Sequence, residues 1–203
     1  MTNKAEPVHT HVFDEGPHDE CGVVGITGMD RAAELVFLAL YALQHRGQES
    51  AGICAVDQGS ARLHKRLGLV AEVFDADVLN ALPGDTALGH VRYSTAGGAQ
   101  LANAQPIMVQ YAQGDLSIAH NGNLTNAHDV RNRLVQEGAI FQTDSDSEVI
   151  IHLIARSRHD TIEGQIDDAL TYLEGAFSLI ISVGGTLYAV RDPRGFRPLV
   201  LGR

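Results

Sequence analysis

The sequence predicts an α+β fold in which antiparallel sheets are covered by helices. Short apolar strand candidates occur in pairs joined by tight turns, helical periods fall in groups between them, and no doubly wound strand–helix alternation runs through the chain. The first strand candidate is CGVVGIT at residues 21–27, a short apolar run rich in small residues. From Arg31 to Arg46 the apolar positions Leu35, Leu38, Ala39, Ala42 and Leu43 recur with a helical period. AGICAVD and ARLHKRL follow as two strands separated by QGS, a hairpin signal. Further strands are expected at TALGHVRY, DLSIAH, AFSLIISV and TLYAVRD, the last two joined at Gly184 and Gly185. Helices are expected over Asn126–Glu137, Ser147–Arg158 and Glu163–Leu173, each behind a polar or capping residue.

The chain has 203 residues, 44% of them hydrophobic, enough to bury one sizeable core. Its 15 basic and 25 acidic residues give a net charge of -10, a field that repels nucleic acid and anionic membranes. An anionic ligand must therefore be met by a few locally placed arginines. No apolar run approaches the roughly 20 residues of a membrane span, and the N-terminus lacks the apolar stretch of a secretory signal, so a cytoplasmic protein is expected. Residues 1–20 are polar, with Pro7, Gly16, Pro17 and no hydrophobic period, and read as a leader ahead of a folded part that begins at Cys21. His9, His11 and His18 in that leader read as solvated residues. The only cysteines, Cys21 and Cys54, are too few for a disulfide framework or a thiolate metal site, and Cys54 reads as an inert core thiol.

A lone cysteine in an apolar strand is ordinarily a small core residue. Cys21 differs because a polar leader meets the fold at Glu20–Cys21. Cleavage there would leave a cysteine whose own α-amine, with an ordinary pKa of roughly 7.7 to 8, is the nearest base. Asn121–Gly122 reads either as a tight hairpin turn or as an oxyanion site, in which the Asn121 amide and the Gly122 N–H converge on developing charge. Ser145 and Glu148 have capping-box spacing, with Asp146 either offsetting the helix dipole or pairing with a substrate ammonium. Arg92 is either a solvated strand-end arginine or a bidentate carboxylate clamp, with Thr95 in reach to add a further hydrogen bond.

Taken together, CGVVGI, LQHRGQESAGI, GHVRYSTAG, NAQPI, AHNGNLTNAHDVRNRL, TDSDSE and RDPRGFRPLVLG resemble the glutaminase domain of amidophosphoribosyltransferases, amidotransferases that use an N-terminal nucleophile. The resemblance runs from Cys21 to Arg203. It implies a four-layer αββα sandwich of two antiparallel sheets, the N-terminal nucleophile hydrolase fold. It implies that Cys21 is the nucleophile, that Asn121 and Gly122 form the oxyanion hole, and that Arg92 and Asp146 grip the carboxylate and ammonium of glutamine. Arg46, Thr95 and His120 are implied to line the same pocket. The first twenty residues resemble a propeptide that the protein removes from itself between Glu20 and Cys21. Members of the family continue into a phosphoribosyltransferase domain that receives the ammonia. That domain is expected to be absent from these 203 residues, and to act with this unit in cis or in trans. No cofactor is expected here; full-length members use Mg with phosphoribosyl pyrophosphate, and some hold an iron–sulfur cluster in the second domain. A homo-oligomer is compatible with this reading. The competing readings are a silent glutamine-binding regulatory module and a stand-alone glutaminase.

Overall fold

The computed structural model describes residues 21–93 and 100–203. Strand β1, Gly22–Thr27, is followed by helix α1, Ala32–Ala42, and a 3-10 turn over Gln44–Arg46. The helical period read to Arg46 thus tightens after Leu43, whose N–H still bonds Ala39, and Arg31 caps the helix start in the left-handed conformation at φ 59. Strands β2, Ser50–Asp57, and β3, Ser60–Leu67, form the expected hairpin, its corner made by Gln58 and Gly59 at positive φ. Two short helices, α2 at Val70–Val73 and α3 at Ala76–Asn80, lead to β4, Thr86–Arg92.

The second half begins with β5, Ile107–Tyr111, and β6, Gly114–Leu124. β5 is not among the strands expected from the sequence: it has only five residues, too few for its alternation to stand out. Helices α4, Ala127–Gln136, α5, Asp146–Arg156, and α6, Ile162–Leu170, precede β7, Gly175–Val183, and β8, Thr186–Arg191, joined at Gly184–Gly185 as expected.

The strands form two four-stranded antiparallel sheets, ordered β1-β4-β2-β3 and β5-β6-β7-β8. Three apolar layers hold four structural layers together. Val36 and Leu40 of α1 pack with Ala51, Ala87 and Val91 of the first sheet. Ile150 and Ile154 of α5 pack with Leu116, Ile118 and Leu179 of the second. Between the sheets, Cys54 and Leu88 meet Ala119 and Ile180, so Cys54 is a core thiol, as expected. Burial pushes that thiol up to about 11. The architecture is the αββα sandwich.

Small residues permit the close contacts. A Cβ on Gly89 would lie 2.4 Å from Val36, and one on Gly52 would lie 2.2 Å from the Gln105 carbonyl oxygen. Both glycines are space requirements and not turns.

Candidate active site

Asn121–Gly122 is not a hairpin turn. Both residues lie inside β6 and pair with Ser178 and Phe177 of β7. Gly122 has φ 146, and a Cβ there would sit 2.0 Å from the Ala176 carbonyl oxygen. Glycine is therefore demanded by both backbone conformation and space.

That strand carries Asn121 to a cleft of about 470 Å³ lined by Cys21, Arg92, Tyr93, Gln105, His120, Asn121, Gly122, Asn123, Asp144, Ser145, Asp146 and Arg197. Five of the positions singled out in the sequence (Arg92, His120, Asn121, Gly122 and Asp146) thus share one cleft with Cys21. Arg46 lines a neighbouring, largely apolar cleft that also touches Cys21 and Asn121, and its Nε donates to the Cys21 carbonyl at 3.3 Å. Glu20 and Thr95 lie outside the described residues.

Cys21 enters at the head of β1, half-buried, with Sγ 3.9 Å from the Tyr93 carbonyl oxygen. Burial pushes its thiol above the ordinary value, and the nearby Asp146 charge adds to this, against the lowering influence of Tyr93 and Arg92. A thiol so placed is protonated at neutral pH and needs a base before it can act as a nucleophile.

Asp146 is the first residue of α5. Ser145 is the N-cap, its hydroxyl accepting from the Ser147 N–H at 3.2 Å. Glu148 does not close the anticipated capping box: it reaches past Ser145 to accept from the N–H groups of Gln142 and Thr143, each at 2.8 Å. The loop before α5 is held further by Arg131, which donates to the carbonyls of Thr143 and Ser145 at 3.0 and 2.9 Å. Burial alone would raise the Asp146 carboxyl. His120, 3.4 Å away through Nδ1, and the N–H of Leu124, 3.0 Å away, outweigh it together with the Ser147 N–H and hold the group below the usual carboxylate range.

Arg92 ends β4 and pairs with Glu49 at 2.7 Å. Gly47 allows the loop to cross there, since a Cβ on it would lie 2.6 Å from the Arg92 backbone. Neither the Glu49 pairing nor the cleft position of Arg197 is legible in QHRGQES or RDPRGFRP, whose residues carry no local signal for them. Arg197 reaches the cleft because Asp192 gathers its loop: its carboxylate accepts from the N–H groups of Phe177, Arg194, Phe196 and Arg197. Among the described residues no group of three or more His, Cys, Asp or Glu side chains is placed to hold a metal ion. None of their helices is long and apolar enough to cross a membrane.

Comparisons with known proteins bear on this arrangement. A family model described as a glutamine amidotransferase domain matches residues 90–203. The amidophosphoribosyltransferase of Lacticaseibacillus casei is 47% identical over 189 residues, covering 93% of this chain and 97% of that sequence. Amidophosphoribosyltransferase 2, chloroplastic, of Arabidopsis thaliana is 51% identical over 192 residues, 94% of this chain, which spans only 34% of that relative's length. Of solved structures, one described as the allosteric regulatory enzyme of purine biosynthesis superposes with a TM-score of 0.84 at 45% identity, over 87% of this chain and 38% of that one. The glutamine phosphoribosylpyrophosphate amidotransferase from B. subtilis, complexed with ADP and GMP, superposes with a TM-score of 0.81 at 43% identity and the same coverage. With this identity along nearly the whole chain and a shared fold, the protein belongs to the amidophosphoribosyltransferase family of glutamine amidotransferases.

Proposed function

We propose that this chain hydrolyses glutamine to glutamate and ammonia through a Cys21 thioester, supplying the ammonia for phosphoribosylamine formation in purine synthesis. The observation that carries the proposal is the convergence of a thiol, two oxyanion donors, a carboxylate and a guanidinium on one cleft. Arg92 suits the α-carboxylate of glutamine and Asp146 its α-ammonium, a pairing that fixes an amino acid at both charged groups.

The leader is removed between Glu20 and Cys21, and the freed α-amine takes the thiol proton. The thiolate then attacks the side-chain carbonyl carbon, and its oxygen becomes an oxyanion held by the Asn121 amide and the Gly122 N–H. The carbon–nitrogen bond breaks, the leaving nitrogen takes the proton from the amine, and ammonia departs. Water adds to the thioester and releases glutamate and the free thiol. The raised Cys21 thiol supports the need for a base in this sequence. A phosphoribosyltransferase unit, which the longer relatives suggest, would consume the ammonia.

The test combines intact mass with ammonia release from glutamine before and after diazo-oxo-norleucine. A mass beginning at Cys21, with activity abolished by one adduct on that residue, is expected. A mass that still includes Met1, with no adduct, would overturn the catalytic reading for that form and favour a binding module.

A further inference from the structure

The second sheet loses a strand where the cleft begins. β5 pairs with β6 only as far as Ile107 opposite Ile118. Two residues on, the His120 N–H on that side has no strand beside it. Gln105 replaces the missing strand: its Oε1 accepts from the His120 N–H at 2.7 Å. The other end of the same carboxamide donates from Nε2 to the Ser147 hydroxyl at 3.1 Å. That hydroxyl lies 3.4 Å from Asp146 Oδ1 and 3.0 Å from His120 Nδ1. One buried amide, 6% exposed, thus spans the strand that carries Asn121 and the helix that carries Asp146.

The donors run in one direction. Gln105 N–H satisfies the Ser147 oxygen, which frees the Ser147 O–H to point at the Asp146 carboxylate. The segment that presents Gln105 is itself fixed from three sides. Lys65 donates to the Ala104 carbonyl at 2.5 Å, and the Asn103 side chain accepts from the Asp144 N–H at 3.0 Å. The Gln105 carbonyl lies over Gly52 with no room for a Cβ.

We propose that Gln105 is a positioning residue, whose carboxamide sets the spacing between the oxyanion donors on β6 and the Asp146 carboxylate on α5. A ligand's reacting carbonyl and its ammonium are then met together. This deepens the glutamine reading and rests on it for its kinetic consequence, though not for its structural one.

The first readout needs no turnover. Gln105→Met fills the same space without either hydrogen bond, so the Asp146 carboxyl, followed by 13C NMR titration of the full chain, should titrate about half a pH unit or more higher than in the wild type. An unmoved titration overturns the proposal. Should Gln105→Met not fold, Gln105→Asn keeps an uncharged amide that is one methylene too short to reach both the His120 N–H and the Ser147 hydroxyl, and is read in the same way. The second readout is kinetic. Gln105→Met should lower kcat/KM for glutamine about tenfold in the wild type but less than twofold when Asp146 is already Asn, as residues of one network couple. Losses that multiply would reduce Gln105 to a structural residue. If wild-type protein carrying a free Cys21 amine releases no ammonia from glutamine, the functional reading fails, and the titration alone decides the role of Gln105.

Discussion

The Arg92 guanidinium lies 2.7 Å from the Glu49 carboxylate, whose second oxygen is buried without a hydrogen-bond partner among the described residues. The pair is only partly exposed, 18% for Arg92 and 9% for Glu49, so removing either partner leaves a desolvated charge. Glu49→Ala should therefore lower stability by about 1–3 kcal/mol, measured by urea unfolding. Arg92→Lys keeps the charge but loses the fork that meets two carboxylate oxygens at once. The KM for glutamine should rise about tenfold or more while kcat changes by less than about threefold. A collapse of kcat at unchanged KM would remove Arg92 from carboxylate binding.

Gly122 and Asn121 separate two kinds of failure on adjacent residues. Gly122→Ala must place a Cβ 2.0 Å from the Ala176 carbonyl oxygen at φ 146, so it should destabilise by about 3 kcal/mol or more, read as a fall in Tm. Asn121→Ala creates no such clash and removes the proposed oxyanion donor. Turnover should fall by about a hundredfold or more with Tm nearly unchanged. A drop of less than about threefold would take Asn121 out of that role.

The parts of this protein legible in its sequence are those governed by periodicity and turn chemistry. The β2–β3 and β7–β8 hairpins announced themselves through Gly59, Gly184 and Gly185 at positive φ. Asn121–Gly122 shows the limit of such reasoning. The same dipeptide that makes a tight turn also permits two strands to touch, and only the partner strand, fifty-odd residues away, decides between them. Glu148 is a similar case, since capping-box spacing did not reveal that its carboxylate ties down Gln142 and Thr143. Gln105 and Glu49 carry no local signal for their roles, because each acts through partners distant in sequence.

Asp192 offers a test of how the cleft wall is built. Its two carboxylate oxygens collect four backbone N–H groups, and the carbonyls of Arg197 and Pro198 accept from the Ser178 hydroxyl on the strand opposite Asn121. Asp192→Asn replaces one acceptor oxygen with a donor facing other donors. Hydrogen exchange at the Phe196 and Arg197 amides should quicken, and kcat/KM for glutamine should fall because Arg197 lines the cleft. Unchanged exchange at both amides would show that the loop holds without this carboxylate.

Acid should weaken the fold through His90 before it weakens it through Asp146. Burial pushes His90 down from 6.5 to about 3, against a hydrogen bond to the His120 carbonyl at 3.0 Å; the charges of His120, Arg92 and Lys65 add to the lowering. Between those two pH values the unfolded chain binds a proton that folded His90 refuses, so stability falls as pH drops below 6.5. The slope this residue contributes approaches about 1.4 kcal/mol per pH unit. Asp146, held below its ordinary 3.8, gives stability that is present above that value and lost only as pH falls through the lower folded one. His90→Gln retains an N–H donor for the His120 carbonyl and cannot take up the proton. Urea unfolding at pH 7, 6, 5 and 4.5 should therefore show a pH dependence flatter by about one proton in that variant. An unchanged slope would assign the acid sensitivity to another group and leave His90 as packing alone.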